Sequence, residues 1–357
     1  MRILLLTRYH SLGASSRVRF YQYISRLEKH GFDIFMSPLL SEKYVSDLQE
    51  GRRAWGSVIA GYLRRMYLLL FKKKSWDLVW IEKEALPWLP WWIERLFLPK
   101  HIPWVVDYDD AVYHFYETHR HFVIRHALKN KHRQLTNRAA QVVVGNNVLA
   151  DYFSSSRLAN KITIIPSVVD VDKYTKTKAT DRNLLVPTIV WIGQRSTAIF
   201  LQPYITLLQE LIECGSLKFV CIGFDLNKFH VPSEYVPWSE ATEAEVLHRC
   251  DVGFMPLADG TFERGKCGYK IIQYMAASLP VVASAVGVNV TLVKPTESGF
   301  LVENLEQTRR AFKMLCNDPD LRTRMGERGR NVVEAEYCLN VTTPKLIQVL
   351  IKGVEIG

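Results

Sequence analysis

Glu263-Arg-Gly-Lys-Cys-Gly-Tyr-Lys-Ile-Ile-Gln-Tyr-Met-Ala-Ala-Ser-Leu-Pro-Val-Val-Ala-Ser-Ala-Val-Gly287 is the most informative stretch of this chain. A glycine-bearing turn with Lys266 and Gly268 opens a helical pattern. Pro280–Ala283 then reads as a buried strand, and Gly287 marks a second glycine turn. Turn, helix and buried strand in this order are the unit of a parallel sheet with crossover helices. A helix N-terminus beside a lysine attracts phosphate. Lys270 and Gln273, three residues apart, share the face that begins there. Read physically, the stretch is a site for a phosphorylated ligand with hydroxyls to grip. A solvated helix start gives the same pattern.

The same alternation extends both ways along the chain. Strands are predicted at Arg2–Leu6, Leu78–Ile81, Trp104–Val106, Gln141–Val144 and Ile162–Ile165. A second set follows at Thr188–Ile192, Phe219–Ile222, Val252–Met255, Pro280–Ala283 and Phe300–Val302. Phe20, Tyr23, Ile24 and Leu27 fall at helical spacing, and Gly31 ends that helix as a C-cap would. The polar stretch Lys173–Asn183 separates the two sets. The expectation is therefore two doubly wound α/β domains, 1–170 and 171–357, with a linker near 171–185 and the last helix crossing back to the first domain. Ligands of such sheets bind beyond the carboxyl ends of the strands, at the glycine turns Gly13, Gly193, Gly223, Gly268 and Gly287. A cleft between two facing domains is the expected place for them.

With 357 residues, 48% hydrophobic and 23% charged, the composition is that of a soluble globular protein and excludes a disordered or many-span membrane chain. The net charge of +10 is unevenly placed. Residues 1–170 hold 25 Lys and Arg against 15 Asp and Glu, and the remainder holds 21 of each. Seven of the nine tryptophans lie between Trp55 and Trp104. All six cysteines lie in the second half without a Cys-x-x-Cys pair, which argues against zinc and for reduced thiols in a cytoplasmic protein. Ile3–Leu6 is too short for a secretory signal. No apolar run is long enough to span a bilayer.

The stretch from Gln273 to Ala283 resembles the donor-binding block of family 4 glycosyltransferases, which have the GT-B fold of two facing Rossmann-like domains. Asp251-Val-Gly-Phe-Met-Pro-Leu resembles the family's preceding strand. Val286-Gly-Val-Asn, Glu297-Ser-Gly-Phe-Leu-Val and Asp318-Pro-Asp-Leu-Arg resemble its phosphate turn, next strand and late basic helix. The resemblance puts Gln273 where the family has the Glu that holds the ribose, and Gly265 where it has the Glu that contacts the donor sugar. Glu263 stands two residues from the second of these places.

Trp191-Ile-Gly-Gln-Arg195-Ser196-Thr resembles the family turn that clamps the donor diphosphate. There Arg195 takes the arginine role, a planar fork suited to phosphate, and Lys266 and Lys270 supply the remaining charge. Asp107-Tyr-Asp109-Asp110 follows a strand. Asp109 and Asp110 stand where GT-B enzymes carry a His-Asp pair near the transferred sugar. A metal-binding Asp-x-Asp of the unrelated GT-A kind and a helix cap are the alternatives. In the family the loop Gly13 through Arg19 lies against the donor phosphate or the acceptor. The resemblance implies donor binding for Gly13 and an acceptor side at Arg17 and Arg19, suited to an anionic acceptor, with solvated arginines at a helix start as the alternative. Residues 52–100 carry aromatics, leucines and cations in the mixture an interfacial segment needs, although buried helices would look similar.

The resemblance implies a retaining, metal-independent glycosyltransferase of hexosyl type, using a nucleotide-sugar and no cofactor. Its expected acceptor is a glycan or lipid-linked precursor, as in polysaccharide biosynthesis, reached at an anionic inner membrane face. The alternative is a non-catalytic GT-B-like binding protein. No Gly-x-Gly-x-x-Gly supports a nicotinamide enzyme, and no recognition motif supports a nucleic-acid partner.

Overall fold

The computed structural model describes residues 1–49, 55–72, 75–154, 159–174 and 186–356. Most of the expected linker, and Lys73 and Lys74 of the expected interfacial region, lie outside the described residues. Two compact units emerge. The first comprises Met1–Ser167, Gly265–Cys267 and Asn340–Gly357, and the second comprises Val168–Arg264 and Gly268–Leu339.

In the first unit six parallel strands stand in the order β2-β1-β3-β4-β5-β6. They are β1 (Arg2–Tyr9), β2 (Asp33–Leu40), β3 (Leu78–Glu82), β4 (Trp104–Tyr108), β5 (Gln141–Val144) and β6 (Ile162–Ile164). Their centres are continuous apolar runs because helices cover both faces. Leu5 of β1 pairs with Met36 on one side and Trp80 on the other. The second unit repeats the plan, in the order β12-β11-β10-β7-β8-β9. Its strands are β7 (Thr188–Ile192), β8 (Lys218–Ile222), β9 (Glu234–Val236), β10 (Val252–Met255), β11 (Val281–Ser284) and β12 (Gly299–Val302).

Sequence reading missed β2, whose run holds Pro38 and mixes exposed with buried residues without a regular period, and β9, a three-residue edge. The helical pattern after Gly13 is a short helix Ala14–Ser16, a π-helical turn Arg17–Tyr21 and the helix Gln22–Lys29.

The chain order within each sheet reverses once, between β1 and β3 in the first unit and between β7 and β10 in the second. Loops leave these neighbouring strands in opposite directions, which opens a crevice at their carboxyl ends. Tyr274, fully buried, fixes the second crevice: its hydroxyl accepts from the Ile192 N–H at 3.0 Å and lies 3.3 Å from the Phe254 carbonyl. The helix Leu339–Ile356 returns to the first unit. Tyr23 Oη lies 2.8 Å from Thr342 Oγ1, and Gly353 approaches Val105 and Leu78. The six cysteines are free. Among the described residues, no helix is long and apolar enough to cross a membrane.

Candidate functional site

At the carboxyl ends of β1, β3 and β4 the first unit gathers a network of charges. Lys83, directly after β3, has left-handed backbone (φ 60), a strained conformation that clusters at functional sites. Its ammonium lies 2.7 Å from Asp109 Oδ1 and 3.8 Å from Glu82 Oε1, and donates to Ser15 Oγ at 2.8 Å. Ser15 Oγ lies 2.6 Å from Asp109 Oδ2. Ser16 Oγ donates to Glu82 Oε2 at 2.6 Å, and the backbone N–H of Arg8 donates to the same oxygen at 2.7 Å.

The environment divides the two neighbouring aspartates. Burial works against ionised Asp109, but the adjacent Lys83 ammonium prevails and holds its carboxyl below the usual range. Burial, then the Asp109 charge, push Asp110 up to about 6, with Lys83 and Lys266 opposing. Two carboxyls whose acidities are driven apart can serve separate roles in one site.

Lys83, Ser15 and Glu82 were not singled out by sequence reading. The signal available was the run Glu82-Lys83-Glu84 placed directly after a buried strand. Gly13 is buried in the preceding loop, where a Cβ would lie 2.4 Å from that of Tyr9. Arg17 is half-buried, its Nη1 3.5 Å from the Ser11 carbonyl.

Arg19, expected on the acceptor side, requires correction. The π-helical turn brings Val18, Arg19 and Phe20 inward together, and Arg19 is buried. Its guanidinium donates twice to Asp107 Oδ1, at 3.0 and 2.7 Å, and to the Ile165 carbonyl at 2.8 Å. Burial alone would lower its pKa, but Asp107 raises it above the ordinary value. Asp107 and Asp109 of the Asp-x-Asp sequence thus each face a cation of the protein. Among the described residues, no group of three or more His, Cys, Asp or Glu side chains is arranged to hold a metal. Gly265–Cys267 joins this unit through Asn146, whose Nδ2 donates to the Gly265 carbonyl at 2.9 Å, and through Cys267, whose thiol donates to the Asp109 carbonyl at 2.8 Å.

In the second unit, Gly193 follows the last residue of β7, and Gln194 caps the short helix Arg195–Ala198 with a reciprocal box to Thr197. Arg195 and Ser196 are exposed beyond this turn. Lys270 Nζ lies 5.2 Å from the centroid of the Trp191 ring, a cation–π distance that brings its charge to the same strand end. Gly268 starts the helix Tyr269–Ala276 with φ 63, and a Cβ there would meet Leu292 at 2.6 Å and Val288 at 2.8 Å. Gly287 starts the helix Val288–Val293. Glu263 is half-buried in the helix Thr261–Arg264.

Gln273, expected to meet ribose, also requires correction, since it is 1% exposed. Its helix is buried from Ile271 through Ala276, so this position points into the core. Its Nε2 donates to Glu243 Oε1 and, at 3.2 Å, to Tyr174 Oη.

No curated protein sequence matches the chain at a significant level. Solved structures do. Sucrose-phosphate synthase from Thermosynechococcus elongatus is similar with a TM-score of 0.69 at 14% identity, over 98% of each chain. WaaG, a glycosyltransferase involved in lipopolysaccharide biosynthesis, gives 0.67 at 15%, over 98% of this chain and 99% of its own. HepE of Anabaena, solved with UDP-glucose, gives 0.63 at 12%, over 98% and 99%. These likenesses establish the two-domain α/β fold, GT-B. The segment 235–332, which contains Glu263, Lys266, Gly268, Lys270, Gln273 and Gly287, matches the family model of the glycosyl transferases group 1.

Proposed function

We propose that this chain is a glycosyltransferase that moves a hexosyl group from a nucleotide-sugar to a glycan or lipid-linked acceptor with retention of configuration and without a metal ion. The observation that carries the reading is the β7 turn. Arg195 and Ser196 lie exposed there, the Lys270 charge sits over Trp191, and the region matching glycosyl transferases group 1 runs through the same helix. Departure of a nucleoside diphosphate leaves negative charge on its bridging oxygen. Fixed cations and a helix N-terminus stabilise that charge without reorganising. Arg195, Lys266 and Lys270 are assigned this role. Asp109, held ionised by Lys83, is assigned to the positive charge that develops on the sugar ring, and Asp110 to the acceptor hydroxyl. The UDP-glucose bound in HepE supports a nucleotide-sugar donor, and the role of WaaG in lipopolysaccharide synthesis supports a glycan acceptor.

The burial of Gln273 favours a second reading, a GT-B-like protein that binds the donor without turning it over. A screen of nucleotide-sugars by thermal shift, followed by transfer or hydrolysis assays in EDTA, separates the two. The donor should stabilise the fold by about 2.7 kcal/mol at a hundredfold excess over Kd. Turnover should persist in EDTA and fall by ~10²–10³ in Arg195→Ala. Stabilisation without turnover selects the binding protein, and no stabilisation by any nucleotide-sugar rejects both. Activity lost in EDTA and restored by manganese would overturn the metal-free mechanism.

A further inference from the structure

The helix Trp55–Phe71 is built inside out. Surface helices ordinarily turn apolar residues to the core and charges to water. Here the inward row is Gly61, Arg65 and Leu69, four residues apart. Gly61 lies against the Leu39 carbonyl, and Arg65, 1% exposed, donates from Nη1 to the Ala85 carbonyl at 3.0 Å and from Nη2 to those of Thr7 and Ser37. Arg65 therefore leaves the set of cations expected to face a membrane. The outward row is Trp55, Ile59, Leu63 and Tyr67, continued by Phe71. Trp55, Leu63 and Phe71 are exposed by 67%, 62% and 70%.

A second helix, Trp91–Phe97, packs beside the first and repeats the inversion. Trp92 and Leu96 point outward. Its one acid, Glu94, points inward to Lys131 at 2.7 Å. The charged side chains left on the outside of the two helices are Arg64 and Arg95, and exposed Lys72 and Lys100 stand just beyond their ends. No acid is exposed on either helix. Among the described residues of these two helices and their ends, the outward surface is apolar and aromatic, and the charges at its border are cationic.

A second copy of this chain would bring like charges together across a twofold contact, where the same patch meets itself. A border of lysine and arginine around Trp, Tyr, Phe and Leu instead suits a sheet of anionic headgroups over hydrocarbon, where aromatic rings sit at the boundary. We infer that these two helices dock the first unit on an anionic lipid bilayer, lying in the headgroup boundary. The inference does not rest on sugar transfer, because binding is measured without substrate.

Flotation with vesicles of phosphatidylglycerol and phosphatidylcholine in equal parts, against phosphatidylcholine alone, tests this on the full chain. The protein should float with the anionic vesicles, release as salt rises, and show a blue shift of tryptophan fluorescence on binding. Arg64→Gln, Lys72→Gln and Arg95→Gln together should weaken binding by ~10²-fold, at about fivefold per cation. Leu63→Glu with Tyr67→Glu should abolish it. All five positions are surface residues, and circular dichroism melts check that each variant keeps its fold. Equal binding to neutral and anionic vesicles, no binding to either, or full binding by the triple variant would overturn the docking. A wild-type dimer that Leu63→Glu with Tyr67→Glu converts to monomer would assign the face to a second copy instead.

Discussion

Lys83 is the residue on which the first unit's charged cluster turns. It faces Asp109 and Glu82, and nearly all of it is out of water. Removing one partner of a buried ion pair is costly because the remaining charge stays desolvated. Lys83→Met should therefore destabilise the fold by about 3–5 kcal/mol in urea denaturation. Adding Asp109→Asn should recover part of the loss, since the second change removes the stranded carboxylate. A loss below about 1 kcal/mol, the range of solvated pairs, would show that water reaches the cluster. Individual residues were the least legible level of this sequence. Arg19 reads like any arginine in an amphipathic helix, yet its partner Asp107 lies 88 positions away. Only the completed sheet reveals that pairing. Gln273 and Arg65 misled for the same reason, because a polar side chain is assigned to water until a buried acceptor is known.

Elements were more legible, because a strand or a helix start depends mainly on neighbouring residues. Among the described residues, ten of the twelve strands follow from apolar runs bounded by turns. The helix opening at Gly268 follows from its glycine, which holds φ 63 where a side chain is strained and would crowd Leu292 and Val288. Gly268→Ala should lower stability by about 1–3 kcal/mol through the left-handed backbone and the overpacking together. It should also displace the N-terminal turn that carries Lys270. Thermal unfolding and nucleotide-sugar affinity measure the two effects. A variant with unchanged melting and affinity would show that this turn accepts a Cβ. β9 escaped prediction because three residues at an exposed edge carry too little periodicity to separate from a loop. The inverted helix Trp55–Phe71 was visible as a mixture of leucines, aromatics and cations, but which side faced outward was not. Orientation is decided by Leu39, Ala85 and Ser37, from outside the helix.

For the molecule as a whole, one buried histidine contributes a defined pH dependence. His132 lies under the first sheet's helices, with Nδ1 3.0 Å from Tyr108 Oη and its ring stacked on Tyr116. Burial, assisted by neighbouring Lys131, pushes its pKa down to about 4 against the pull of Glu84. The unfolded chain takes up this proton near 6.5 and the folded chain only near 4. The contribution of His132 is therefore undiminished above pH 6.5 and is lost progressively as pH falls to 4, by roughly 3 kcal/mol. His132→Gln should flatten the stability profile over that window relative to the parent, as measured by denaturant unfolding at each pH. Parallel profiles would assign the acid sensitivity to other groups. The net positive charge of the first half was readable from counting alone, whereas nothing in the sequence marks Gly265–Cys267 as part of the first unit. The non-contiguous make-up of the first unit has a consequence for biosynthesis. Its segment Asn340–Gly357 leaves the ribosome after every residue of the second unit. Until that segment has been made, the nascent first sheet lacks the helix that lies against Leu78 and Val105, so its completion follows synthesis of the whole second unit.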